Sequence, residues 1–173
     1  MQQARKDCPS WDEYFINIAK EVSKRSKDPS SQVGCVIVDG KNKPISFGYN
    51  GMLADCDESY MTWERPMKYH LVLHAEINAI LFAKRDLKGC KLYSAVAPCE
   101  NCLKYILQTG IRTIIYENVM VKSGTLGNGV QDDAKEAVTR LVKSIQDLDF
   151  RNINGQTYLD ELWGGEVPDF KQK

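Results

Sequence analysis

Val33-Gly-Cys-Val-Ile-Val38 is the most informative stretch of the chain: six residues, short and rich in β-branched side chains, with no polar alternation. A run of that kind reads as a strand buried on both faces, inside a sheet covered by helices above and below. Immediately after it, Asp39-Gly40 and Lys41-Asn-Lys-Pro44 supply turn residues, and Ile45-Ser-Phe-Gly-Tyr49 supplies a partner strand, so the pair reads as a hairpin. Upstream, Ser10-Trp-Asp-Glu13 has the form of a capping box. Trp11, Phe15, Ile18, Ala19 and Val22 then recur at helical spacing, which predicts a first helix ending near residue 25, before the Asp28-Pro29-Ser30-Ser31 turn.

Downstream of the Asn50-Gly51 stop, residues 52–69 show no period and read as a long loop with a short helical turn. A helix over His74–Lys84, a strand over Lys91–Ala95, a helix opened by Pro98 and stopped at Gly110, and a strand over Thr113–Tyr116 follow. Ser123–Gly129 is rich in glycine, and Ala134, Val138, Leu141, Val142 and Ile145 beyond it keep a helical period, predicting a last helix that packs back on the sheet. The stretch from residue 150 onward carries no recognisable element. Strands alternating with helices after an initial hairpin give an α/β fold whose sheet is mixed and covered on both faces.

A chain of 173 residues fits one compact domain. Lys plus Arg number 23 and Asp plus Glu 23, so there is no broad positive field to hold nucleic acid or an acidic membrane surface. The longest apolar run, Ala79-Ile-Leu-Phe-Ala83, is far short of the roughly 18 residues that a membrane span needs. The first residues, Met1 to Pro9, have no apolar stretch, so a secretory signal is not expected and the cytoplasm is. In that compartment the six cysteines read as reduced thiols or metal ligands and not as disulfides.

Fold class says nothing about chemistry, which rests here on two short motifs. His74-Ala75-Glu76 and Pro98-Cys99-Glu100-Asn101-Cys102 each open a predicted helix. Two thiols and one imidazole suit zinc, and three protein ligands leave one tetrahedral position open to water, the arrangement of a catalytic site. Cys99 and Cys102 lie at a helix start, where unpaired amides favour thiolates. Glu76, two residues beyond the histidine, can reach a bound water without taking a coordination site, which makes it the natural general base. The competing readings are a closed structural site completed by His70, a redox Cys-x-x-Cys pair, and a second metal site from Cys56 and His70. Lys24, Arg25 and Lys27 read either as a solvated helix end or as a phosphate site beside the Asp28-Pro29 turn. Lys27 and Arg65 are the candidates for phosphate contact.

Arg25-Ser-Lys-Asp-Pro29, Gln32-Val-Gly-Cys-Val-Ile-Val38, Gly48-Tyr-Asn-Gly-Met52, His74-Ala-Glu-Ile-Asn-Ala-Ile80 and Ala97-Pro-Cys-Glu-Asn-Cys102, spread over residues 11–116, together resemble the deoxycytidylate deaminase branch of the zinc-dependent cytidine deaminase superfamily. The resemblance implies a three-layer α/β/α sandwich and conversion of dCMP to dUMP with release of ammonia. It also implies a homo-oligomer, hexamer or dimer, with dCTP and dTTP as effectors. Carried over by position, His74, Cys99 and Cys102 hold Zn²⁺, Glu76 shuttles protons, Asn50 contacts the sugar, and the backbone of Ala75 faces the base carbonyl. Zinc hydroxide is expected to attack C4 of the base. Residues 1–173 then form a single deaminase domain, with a core over 11–116 and an extension over 117–173 that packs on or caps it. The alternatives are a tRNA adenosine deaminase, or another nucleoside or nucleotide deaminase, sharing the zinc motifs, and a catalytically silent zinc- or nucleotide-binding protein.

Overall fold

A computed structural model describes residues 4–119 and 130–170, with residues 130–132 described by backbone alone. The glycine-rich stretch Ser123–Gly129 lies outside the described residues. Helix α1 (Trp11–Ser23) starts where the sequence places it: the Ser10 hydroxyl accepts from the Glu13 amide at 3.2 Å, and the Glu13 carboxylate accepts from the Ser10 amide at 2.7 Å. This reciprocal cap satisfies two amides that a helix start otherwise leaves open.

Strands β1 (Gly34–Val38) and β2 (Pro44–Tyr49) form the expected antiparallel hairpin, and all five residues of β1 are buried. Strand β3 (Lys91–Val96) pairs antiparallel with β1, and β4 (Thr113–Asn118) pairs parallel with β3. A fifth strand, β5 (Asp149–Asn152), adds in parallel to β4 and gives the order β2-β1-β3-β4-β5. The sheet is therefore mixed, as expected, but one strand wider than the sequence reading made it. Only Phe150 and Asn152 of β5 are buried, and an alternating four-residue edge strand between polar neighbours carries too little apolar pattern to be read without its partner.

Successive side chains of the sheet divide between two helical layers, as the period of two requires. Val36, Val38, Tyr93 and Ile115 pack with Phe15, Ile16 and Ala19 of α1. Cys35, Ile37, Leu92, Ile114 and Tyr116 point the other way. There they meet α3 (Ala75–Ala83), α4 (Glu100–Gln108), α5 (Val130–Ser144) and α6 (Tyr158–Trp163). The result is a three-layer α/β/α arrangement. The loop over residues 52–69 contains a 3₁₀ turn at Glu58–Tyr60 and runs into a short helix α2 (Lys68–Leu71).

Two features set the position of α3, which carries the first motif. Gly48 of β2 lies directly beneath it, so that a Cβ there would sit 2.1 Å from the Ala75 carbonyl oxygen and 2.4 Å from the Ala79 nitrogen. The Ser46 hydroxyl donates to the Ala79 carbonyl at 2.6 Å from the same strand. Helix α6, which has no periodic apolar pattern to announce it, docks through Tyr158, whose ring stacks on Phe150 at 4.4 Å and meets Tyr116 edge-on. The Tyr116 hydroxyl donates to Glu161 at 2.6 Å, and the Trp163 indole donates to Thr139 of α5 at 2.9 Å. No helix among the described residues is long and apolar enough to cross a membrane.

Candidate active site

His74 and Cys99 are the N-cap residues of α3 and α4, both with extended backbone, and neither side chain is used as a cap. Each side chain is thereby free to project from the helix start toward the other, while Cys102 comes from the first turn of α4. The His74 Nδ1 atom lies 3.2 Å from the Cys102 sulfur and 3.6 Å from the Cys99 sulfur. Ideal tetrahedral zinc with bonds of about 2.3 Å to sulfur and 2.0–2.1 Å to nitrogen separates N and S by about 3.6 Å, so the Cys99 pair matches that separation, the Cys102 pair is 0.4 Å shorter, and the three donors fit a common ion. Among the described residues, this is the group of three potential ligands whose donor atoms lie within 4.8 Å of one another, and neither His70 nor Cys56 belongs to it.

The electrostatics of the cluster reinforce that fit. The hydrogen bond from Cys102 stabilises the Cys99 thiolate, holding its pKa down to about 4, with His74 adding to the effect. His74 is pushed up to about 9, chiefly by its hydrogen bond to Cys99. The Cys102 thiol is raised well above its ordinary range, first by its hydrogen bond to Cys99 and then by burial. Glu76, buried in the first turn of α3, is raised by burial while the charge on His74 opposes the rise. Burial that raises the Glu76 carboxyl favours its protonated form, which sets the group to exchange a proton beside the ligand triad.

His74, Glu76 and Cys99 line a cavity of about 390 Å³. That is within the usual range for a small-molecule site. Asn50, Ala75 and Arg65 all contribute to its wall. Asn50 is buried, its Oδ1 accepting from the Val33 amide at 2.8 Å and its Nδ2 donating to the Ser31 carbonyl at 2.8 Å and to Asp28 at 3.3 Å. Arg65 lies over the Tyr69 ring, 5.5 Å from its centroid. Lys27 is placed elsewhere: it is paired with Glu58 at 2.5 Å, both side chains more than half exposed, and is outside the cavity lining.

Sequence reasoning passed over two sets of wall residues. Asp28 and Lys68 form a buried ion pair at 2.6 Å; Asp28 lies in a stretch that was singled out, but its partner is forty residues away and carries no motif. Val138 of α5 and Tyr158 and Leu162 of α6 close the cavity from the C-terminal part of the chain. The helical period places Val138 on the face that packs on the sheet without showing that it reaches the cavity, and the sequence signal for Tyr158 and Leu162 is a short aromatic and apolar scatter around residues 150–163.

Comparison with known proteins bears directly on this site. A family model for the cytidine and deoxycytidylate deaminase zinc-binding region matches residues 9–118, which include both motifs. A deoxycytidylate deaminase of Mus musculus is 38% identical over 156 residues, covering 86% of this chain and 83% of the relative. An uncharacterized deaminase of Aliivibrio fischeri is 48% identical over 104 residues, covering 60% of this chain and 70% of the relative. Among solved structures, dCMP deaminase from the cyanophage S-TIM5 in apo form shares the fold, with a TM-score of 0.61 at 21% identity over 84% of this chain and 99% of that one. On the matched motifs and the similarity across most of its length, the chain belongs to the cytidine and deoxycytidylate deaminase family and is a deaminase.

Proposed function

We propose that the protein hydrolyses dCMP to dUMP and ammonia with zinc held by His74, Cys99 and Cys102. The observation that carries the reading is Glu76, a buried carboxyl against a cysteine-cysteine-histidine triad at the floor of a cavity of about 390 Å³. A purely structural metal site has no use for that carboxyl. The similarity to deoxycytidylate deaminases over most of the chain supports dCMP as the substrate.

When bound, zinc supplies one thing, a water whose pKa falls from about 15.7 to about 7 and which is therefore nucleophilic at neutral pH. Glu76 takes the proton released as the water oxygen bonds to C4 and delivers it to N3 of the ring. It then transfers the remaining hydroxyl proton to the exocyclic amine, so that ammonia leaves and the C4 carbonyl forms. The Ala75 backbone at the start of α3 faces the base carbonyl, and Asn50, fixed by Val33 and Ser31, presents the wall that meets the sugar. Arg65 at the cavity wall is the phosphate contact that its placement supports, whereas Lys27 is engaged by Glu58. Residues 1–173 act as one deaminase unit in this reading, with α5 and α6 closing the cavity over a core formed by 11–116. Through the family, it extends to a homo-oligomer, hexamer or dimer, responsive to dCTP and dTTP. Leu81 and Phe82, two large apolar side chains exposed near the end of α3, support such a covered face.

The test is ammonia release with zinc content measured on the same sample, comparing dCMP, CMP, deoxycytidine, dCTP and a tRNA anticodon stem. Selective turnover of dCMP by zinc-loaded protein is the expected result. Selective turnover of the tRNA stem, or bound zinc with no turnover of any of the five, refutes it.

A further inference from the structure

Two of the buried charges at the cavity wall have no part in the chemistry described above. The Lys68 ammonium donates to Asp28 Oδ2 at 2.6 Å, to Asp28 Oδ1 at 2.8 Å and to the Ser30 hydroxyl at 2.7 Å, which uses all three of its protons. The Asp28 carboxylate accepts in addition from the Ser30 amide at 2.9 Å, the Ser31 amide at 3.1 Å and the Asn50 side chain at 3.3 Å. The two side chains are 6% and 2% exposed. With every donor and acceptor engaged, neither group is available to take a proton from substrate or to bind a phosphate without first giving up a partner.

The pair joins two separate walls of the cavity. Lys68 is the first residue of α2, in the segment that also contributes Arg65, Tyr69 and Val72 to the lining. Asp28 belongs to the turn that precedes β1 and contributes Ser31 and Val33, and its second oxygen holds the amide of Asn50. A buried ion pair is poor evidence for stability, because desolvation of both ions offsets most of their attraction. Its directional hydrogen bonds do fix the relative placement of the groups around it.

We propose that Asp28 and Lys68 are positioning residues for substrate binding, locking the wall that carries Arg65 and Tyr69 onto the turn that carries Asn50, so that the cavity is shaped for the sugar-phosphate part of the nucleotide before substrate arrives. The proposal rests on the dCMP deaminase reading and deepens it. It separates the chain into groups that set affinity and groups, around Glu76, that set turnover. Loss of the lock leaves the triad and Glu76 on α3 and α4 in place, and misplaces only the walls. The signature is a rise in KM with little change in kcat, because the walls hold substrate and transition state alike.

The experiment compares steady-state dCMP deamination and zinc content for the wild type, Lys68→Met, Lys68→Arg and the double variant Asp28→Asn/Lys68→Met. The double variant removes both charges together, which keeps the comparison meaningful if the single Lys68→Met protein, left with an unpaired buried carboxylate, does not fold. Lys68→Met or the double variant is expected to raise KM about tenfold with kcat within about threefold, since misplacement of a positioning group by an ångström costs up to about a hundredfold. Zinc content stays at the wild-type level, and Lys68→Arg, which keeps the charge, recovers most of the KM. An unchanged KM in both Lys68→Met and the double variant, or a fall confined to kcat, overturns the proposal while leaving the deaminase reading intact. Failure of the wild type to turn over dCMP overturns both together.

Discussion

Replacing Gly48 by alanine tests the link between the sheet and the site directly. The added Cβ would lie 2.1 Å from the Ala75 carbonyl oxygen and 2.4 Å from the Ala79 nitrogen, and both are backbone atoms of α3 that no rotamer change can move aside. Ordinary contact begins near 3.4 Å, so α3 and β2 must part by about 1.3 Å at this point. Overpacking of this kind costs about 1–3 kcal/mol, and for a chain of this size each kcal/mol lowers Tm by roughly 2–4 °C. The displaced carbonyl belongs to Ala75, between His74 and Glu76, so the ligand and the proton carrier move with it. A shift of about an ångström at such groups is expected to lower kcat/KM by up to about a hundredfold. Gly34→Ala is the matched comparison: its Cβ would meet the Ala19 carbonyl oxygen at 2.0 Å, an equal clash, but against α1 on the opposite face of the sheet. Both variants are expected to melt earlier by calorimetry, and only Gly48→Ala to lose most of its activity at a temperature where both remain folded. Wild-type stability and activity in Gly48→Ala, or equal activity losses in the two variants, would show that α3 does not depend on Gly48 for its placement.

Glu76→Gln keeps the volume and the metal ligands but not the titratable proton; zinc content should be unchanged while dCMP turnover falls by about 10²- to 10⁴-fold. Dialysis against a zinc chelator should abolish ammonia release and expose the Cys99 and Cys102 thiols to a thiol reagent, with zinc restoring activity and protection together. Asp12 connects α1 to the sheet through Arg151 at 2.8 Å and the Tyr93 hydroxyl at 2.9 Å. Burial pushes the Asp12 carboxyl up, but the hydrogen bonds from Arg151 and Tyr93 outweigh it and hold the pKa below the ordinary 3.8. The unfolded chain therefore binds the proton more readily, and the stability from Asp12 is complete above about pH 5 and lost as pH falls through 3.8 toward the lower native value. Urea unfolding across that window should show a shallower acid loss in Asp12→Asn than in the wild type, and parallel curves would contradict the assignment.

The parts of this protein that could be read in advance are those whose cause lies within a few residues. The Ser10 capping box, the hairpin from Val33 to Tyr49 and the two helix starts at His74 and Cys99 are each local arrangements of side chain and backbone. The convergence of the two motifs was inferable only because their donor types and spacing demand a common ion. By contrast, β5 exists because β4 offers an edge, and α6 exists because Tyr158 finds Phe150 and Tyr116 to pack on. Neither segment has enough periodic apolar surface to declare itself alone.

The cavity wall shows the same division. Glu76 is legible because its role depends on a histidine two residues away. Lys27 looked available for phosphate because the sequence does not show Glu58 across from it, whereas Asp28 and Lys68 find each other across forty residues of chain. The sequence alone determined which residues could bind an ion and carry a proton, since those properties belong to the side chains and their local spacing. Which charges are buried, which are spent on one another and which walls enclose the cavity followed from packing, because desolvation and long-range pairing arise only when distant segments come together.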